Sequence, residues 1–429
     1  MKLTKVGRFV FILLTFVSCQ SKFFAQNVLE TDLQTCYQKA INNFPLVKQN
    51  ELIDNAAQYN VENANKNYLP QFSINGQATY QSEVTKIDIS IPGFPKIEAL
   101  SKDQYKIFGE ISQLIYDGGA VSAQKSIALA SQTADKMKNQ TDLYKLKQQV
   151  QQMYFGILLL KAQNLQTAAS KRDIEAQRDK INAAVENGTA YPANLDMIDA
   201  ELLKLEQRTL ETSSNIEAFV EMLAYFTGMN LSSQTNFSSP PAFAGIALNI
   251  IRPELSLFDA QKSLIDNQLN ASLTNNLPKL SAFFQGGYGK PTLNVLKNEF
   301  GTYYLGGLRL QWNLTSLYTR SNSMRLADVN KSIVQNQKDA FIFNTNMQAT
   351  QQSQDIDKYK KLIEIDEKLI KLLTNIKNVS ATQLENGVIT TSDFIKNVSA
   401  EDQARQAKSL HEIQLLSAQH LLQFTTGNE

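Results

Sequence analysis

Histidine, cysteine and one glycine-rich segment are where chemistry would have to begin in this chain. His411 and His420 are its two histidines. They are not at the i, i+4 spacing that puts two imidazoles on one helical face for a metal, and no Glu-rich zinc-binding helix frames them. Two cysteines, Cys19 and Cys36, can build neither a disulfide framework nor a thiolate zinc site. Gly286-Gly287-Tyr288-Gly289-Lys290-Pro291-Thr292 looks like a phosphate loop, but Pro291 stands where Ser or Thr should bind magnesium. The eight methionines are scattered, unlike a copper or silver relay. Trp312, Tyr80, Tyr288, Tyr303 and Tyr304 read as strand or interfacial aromatics, not as a cofactor box. The expectation is a protein without catalytic residues, cofactor or metal.

Composition agrees with that expectation. Forty-two basic against 41 acidic residues leave a net charge of +1. Nucleic-acid binding needs clustered Lys and Arg to displace counterions, so no such partner is expected. At 429 residues, with 43% hydrophobic and 19% charged positions, the chain is too long for one ordinary compact domain and too mixed to be disordered.

Residues 1–25 read as an export signal, with Lys2, Lys5 and Arg8 ahead of an apolar run from Phe9 to Val17. Two processing routes fit. One cuts after Ala25; the other uses Val17-Ser18-Cys19 as a lipoprotein box, leaving Cys19 acylated. Either takes the chain out of the cytoplasm. Cys36 shares helical spacing with Leu33, Tyr37 and Ala40 and reads as a small core residue. No later segment has the roughly 18 apolar residues of a transmembrane helix, so any membrane span must be made of strands.

What must position everything else is a duplicated plan. Pro45-Leu46 and Leu69-Pro70 recur as Pro253-Glu254-Leu255 and Leu277-Pro278, and Glu186-Asn187-Gly188 recurs as Glu385-Asn386-Gly387. The halves close on Phe226-Thr227-Gly228 and Thr425-Thr426-Gly427. Residues 26–240 form the first repeat, with strands at about 70–82 and 104–116 and a long helical hairpin at about 119–229. Residues 241–429 form the second, with strands at about 279–288 and 302–314 and a hairpin at about 319–427.

The strands are signalled by period-two alternation. Phe72, Ile74, Gly76, Ala78 and Tyr80 alternate with Ser73, Asn75, Gln77, Thr79 and Gln81, and Leu280, Ala282, Phe284, Gly286 and Tyr288 repeat the pattern. Pro92, Gly93 and Pro95 fall in the loop between the first two strands, where they interrupt no ladder. The helices are signalled by length and by 3-4 spacing. Leu143, Leu146, Val150, Met153, Ile157 and Leu160 form one stripe; Leu362, Ile365, Leu369, Leu372, Ile376 and Val379 form another. Such stripes predict left-handed coiled-coil packing along helices about 100 Å long.

Four strands cannot close a barrel, because about eight is the smallest workable number. An open sheet with one apolar face would expose edges and a greasy surface. The chain is therefore expected to oligomerise through its sheet, the polar face lining water and the apolar face meeting lipid. The competing expectation is a periplasmic coiled-coil scaffold whose strands form a small sandwich.

The sequence resembles the TolC-like outer membrane efflux family, whose members serve tripartite efflux or type I secretion. The resemblance rests on Asn43-Phe44-Pro45-Leu46, on Leu69-Pro70, on Ile115-Tyr116-Asp117-Gly118-Gly119, and on the glycine turns at Gly188 and Gly387. It implies a mainly α fold with membrane β: a homotrimer with a twelve-stranded β-barrel in the outer membrane of a Gram-negative bacterium. A long α-helical barrel would continue it into the periplasm. The implied partners are outer membrane lipid, a periplasmic adaptor and an inner-membrane pump of the RND or ABC class. The turns Gly188-Thr189-Ala190 and Gly387-Val388-Ile389 resemble the family's adaptor-contacting tips. In Val388 and Ile389 the second turn carries an apolar pair without an obvious partner inside the chain. The family's turn pattern also places Asp393 in the ring that narrows the closed tunnel. A second family aspartate is replaced here by Lys396, and the first repeat carries Asn194 with Asp196 nearby.

Overall fold

The structure, a computed structural model, describes residues 30–85, 99–243 and 249–428. The signal segment, Cys19 and the loop with Pro92, Gly93 and Pro95 lie outside the described residues.

Strand β1 (Glu30–Thr31) leads into helices α1 (Leu33–Asn43) and α2 (Gln49–Lys66), joined by a single 3-10 turn at Pro45–Lys48. Then come β2 (Gln71–Tyr80), β3 (Asp103–Tyr116), the long helix α3 (Ala120–Glu186) and its return α4 (Pro192–Thr227). Strand β4 (Asn236–Phe237) pairs in parallel with β1. The second half runs α5 (Pro253–Thr274), β5 (Lys279–Lys290), β6 (Gly301–Gln311), α6 (Ser316–Glu385) and α7 (Thr391–Thr426). Trp312, expected within the last strand, lies just past its end, where its indole N–H donates to the Asn276 carbonyl at 2.9 Å.

Local chemistry sets the boundaries. Pro192 and Pro253 occupy the first turns of α4 and α5, where a missing N–H costs nothing. Gly228 and Gly427 end α4 and α7 in the left-handed conformation. At the strand-to-helix handover Asp117 accepts from the N–H of Gly119 (2.8 Å) and of Val121 (2.6 Å), capping α3. Gly118 there has φ +70°, and a Cβ would stand 2.7 Å from Leu277 Cβ. Backbone and packing both demand glycine, which explains Tyr116-Asp117-Gly118-Gly119 physically.

The largest core cluster joins α1, α3 and α4 around Cys36, Ala40, Val150, Tyr154, Ile157 and Leu223. Cys36 is fully buried, the small core residue its spacing predicts. The α3 stripe is buried from Leu143 to Ile157. The α6 stripe is not: Ile365, Leu369, Leu372, Ile376 and Val379 are all exposed, although α6 packs along the whole of α7. The face α6 turns inward carries Ala349, Ile356, Asp366 and Ser380 instead. Among the described residues no helix is long and apolar enough to cross a membrane.

Candidate functional site

Strands β2, β3, β5 and β6 form one antiparallel sheet in that order, open at both edges. Its register places Phe72, Ile74, Ile107, Ile111, Phe284, Tyr304, Leu308 and Leu310 on one face, all exposed. An irregularity between Leu114 and Tyr116 returns Tyr116 to this face, opposite Leu280. A continuous apolar face of this extent is what a soluble monomer avoids.

The other face carries Ser73, Asn75, Gln77 and Thr79 of β2, but it is not purely polar. Phe108 lies against Gly287, where a Cβ would stand 2.6 Å from Phe108 Cβ, and Phe283 lies against Gly307. Gly307 makes room for the Phe283 ring, and Gly287 for the close approach of the Phe108 Cα and Cβ. Arg309 donates to Glu110 (2.9 Å) and stacks over Phe283 (4.5 Å to the ring centre), while Gln285 donates to Glu110 at 2.5 Å.

At the far end the two hairpin turns are copies. Gly188 and Gly387 adopt φ +72° and +68° with open space around them. The next N–H groups, of Thr189 and Val388, each donate to the carbonyl five residues back, Ala184 and Gln383, both at 2.8 Å. Asn187 and Asn386 each donate a side-chain N–H to the carbonyl four residues back at 2.8 Å. A cleft of about 780 Å³ between the turns brings together Thr189, Ala190, Asn194, Gly387 and Ile389. Gly188, Asp196, Val388, Asp393 and Lys396 are not part of its lining. Val388 is 68% exposed. Ile389 has a partner within the chain after all: it packs on the cluster of Ile174, Ile181, Ile198, Leu205, Phe394 and Val398. Only half of the expected unpartnered pair is therefore free.

Asp393 completes a capping box at the start of α7. The Thr390 hydroxyl accepts from the Asp393 N–H (3.1 Å), and the Asp393 carboxylate accepts from the Thr390 N–H (3.3 Å) and hydroxyl (2.7 Å). The Thr390 hydroxyl, then its N–H, and the nearby Lys396 ammonium hold the Asp393 carboxyl below the usual carboxylate range. Asp393 and Lys396 are both exposed, as is Asp196; Asn194 is half-buried and donates its N–H to the Tyr191 carbonyl at 3.0 Å.

One cluster has no counterpart in the sequence reading. The neighbours Glu401 and Asp402, both buried on α7, bond to opposite sides. Glu401 meets Lys377 (2.7 Å), Arg405 (2.6 Å) and Thr374 (2.6 Å). Asp402 meets Ser170 (2.5 Å) and Arg208 (3.1 Å) of the first hairpin and Gln406 (2.7 Å) of its own helix. Lys377 also reaches Asp173 at 2.7 Å, so ionic contacts tie the second hairpin to the first. Spacing within α7 marks only Arg405 and Gln406, each four residues on; the partners from other helices stand as many as 236 residues away and no spacing rule announces them.

Residues 36–228 match the family model of the outer membrane efflux protein. The chain carries an outer membrane efflux protein domain. The solved structures it resembles cover both halves. VceC, an outer membrane protein of Vibrio cholerae, superposes with a TM-score of 0.66 at 12% identity, over 92% of this chain and 96% of that one. The Campylobacter jejuni outer membrane channel CmeC gives 0.65 at 14% identity, over 92% and 85%. The open state of the Neisseria gonorrhoeae outer membrane channel MtrE gives 0.63 at 13% identity, over 92% and 88%. No curated protein matches the chain. The resemblance to the TolC-like outer membrane efflux family holds over the matched half, and the second half continues the same fold. Outer membrane efflux is the function these matches support, and nothing among them favours a coiled-coil scaffold.

The duplicated turn carries its own prediction. A Cβ at Gly387 meets no neighbour, so the cost of Gly387→Val comes chiefly from the left-handed backbone, about 1–2 kcal/mol per residue. The variant is expected to insert and assemble normally but to lose export, measured as retained substrate in cells. Equal loss of assembly and of export would show that the tip also serves folding.

Proposed function

We propose that the chain is the exit duct of a tripartite efflux or secretion system, a homotrimer whose three sheets close one twelve-stranded barrel in the outer membrane. The helical hairpins continue it as a periplasmic tunnel, and their turns meet a periplasmic adaptor working with an inner-membrane pump. The duct is passive and uses no catalytic residue.

The exposed apolar sheet face carries this reading. Its ends are marked by aromatic residues: Tyr80, Tyr105, Tyr288 and Phe300 near the loops, Tyr116 and Trp312 near the helices. From Tyr105 to Tyr116 a strand rises about 36 Å at 3.3 Å per residue, or about 26 Å at a 45° tilt. That is the height of the apolar band between the aromatic girdles of a membrane barrel. The open edges β2 and β6 gain partners only when another copy supplies them.

Fractionation and planar-bilayer recording test it. The protein is expected in the outer membrane, to need detergent, and to conduct. Recovery in the periplasmic extract would overturn the duct and favour a scaffold. The same recordings address the gate. Lys396 stands about one helical turn from Asp393, so in a closed trimer three lysines partly neutralise three carboxylates. Lys396→Asp is expected to raise cation selectivity and sharpen divalent block, and Asp393→Asn to move both the other way. Unchanged reversal potentials in both variants would place these residues away from the lumen.

A further inference from the structure

The face of the sheet opposite the apolar one carries four charged residues: Lys106 and Glu110 of β3, Lys279 of β5 and Arg309 of β6. Strand β2 contributes none there. Glu110 and Arg309 are spent on each other at 2.9 Å, which leaves no net charge at mid-sheet. Lys106 and Lys279 form no ion pair among the described residues. Lys106 is exposed and reaches across Gly289, where a Cβ would stand 3.0 Å from its Cγ. Lys279 stands opposite Gln311 at the helical end of the sheet. Ten positions of β5 separate Gly289 from Lys279, about 34 Å along the strand, so one lysine serves each end.

We infer that Lys106 and Lys279 give the barrel lumen a preference for anions, and that cargo bearing an anionic group is the class this duct passes most readily. The inference rests on the reading of the sheet as one third of a closed barrel with this face inward. Threefold symmetry then turns each lysine into a ring of three charges, one near each mouth. A ring of like charge around a narrow aqueous path raises the local concentration of counter-ions. The Glu110–Arg309 pairs between the rings neither add to this nor oppose it. At the tunnel tip Asp393 and Lys396 offset one another and Asp196 leaves one negative charge per chain, against two unpaired lysines per chain in the barrel, so the barrel and not the tip sets the sign.

The test is the reversal potential of the full chain in a planar bilayer under a potassium chloride gradient. Chloride is expected to be preferred over potassium. Lys106→Gln with Lys279→Gln should lower that preference about twofold at 0.1 M salt, and more at 0.01 M, where screening is weaker. Lys106→Glu with Lys279→Glu should reverse it, and the paired arginine replacements should keep it. The wild-type sign needs no variant to fold. Conductance that is cation-selective, or indifferent to both lysines, would overturn this inference and leave the duct standing. A wild-type protein that inserts without conducting would overturn both.

Discussion

Leu372→Asp combined with Ile376→Asp is expected to abolish the proposed trimer while leaving the helices intact. The α6 stripe of Ile365, Leu369, Leu372, Ile376 and Val379 is 43% to 61% exposed in the single chain. Full burial of such a side chain stabilises by about 1.5–3 kcal/mol, so about half of that is still to be gained at each position. Five positions give on the order of 5 kcal/mol for each contact between copies. Two carboxylates at the middle of the stripe remove the apolar gain and add the cost of burying charge. Light scattering in detergent should then return the mass of one chain, with helical circular dichroism unchanged. A trimer mass with both aspartates present would show that this stripe does not face a neighbouring copy, and the proposed tunnel would need another seam. Helix α4 offers an exposed counterpart in Leu203 and Leu210, which are spaced one heptad apart.

Asp402→Ala is expected to cost about 3 kcal/mol, the lower end of the range for breaking a buried ion pair. It strands the Ser170 hydroxyl and the Gln406 amide and leaves Arg208 without its carboxylate. The lower end applies because Arg208 is 40% exposed and can hydrate. The thermal midpoint of the assembled protein should fall, and spin labels on α3 and α7 should report hairpins moving apart. An unchanged midpoint would mean that the network does not hold the hairpins together.

The adjacent Glu401 adds a pH dependence. Burial pushes its carboxyl up, but bonds from Lys377, Thr374 and Arg405 outweigh this and hold it below the usual carboxylate range. The stabilisation is therefore present above that range and is lost as pH falls through the depressed value. Burial pulls Lys377 down, yet Asp173 and Glu401 together raise it, so its share persists until pH rises through the elevated value. The contact is strongest between those limits. Acid should loosen the hairpins at a lower pH than an ordinary glutamate would set.

Much of the fold is written in local pattern. Alternation from Phe72 to Tyr80 requires a strand with one greasy face, and β2 spans Gln71–Tyr80. The run without glycine or proline from Ser321 to Asn386 requires an uninterrupted helix, and α6 spans Ser316–Glu385. Asp117-Gly118-Gly119 fixes a capped strand-to-helix corner through bonds reaching only four residues. The histidines illustrate the reverse: His411 is set against Asp366 of α6 at 2.6 Å, a contact that no spacing within α7 could announce.

The sequence by itself determined the class of the long elements, the strands of the four-stranded sheet and the long helices that follow them. It did so because period, turn chemistry and capping act over a few residues and need no distant partner. Only the tertiary structure decided which stripe each helix hides. The α3 and α6 stripes have the same spacing, yet one is core and the other lies bare, since burial depends on what packs alongside. It also decided that Ile389 turns inward while Val388 does not, that Asp393 serves a capping box, and that Glu401 and Asp402 join two hairpins. Those outcomes depend on segments far apart in the chain meeting at one point, and a linear pattern carries no record of that.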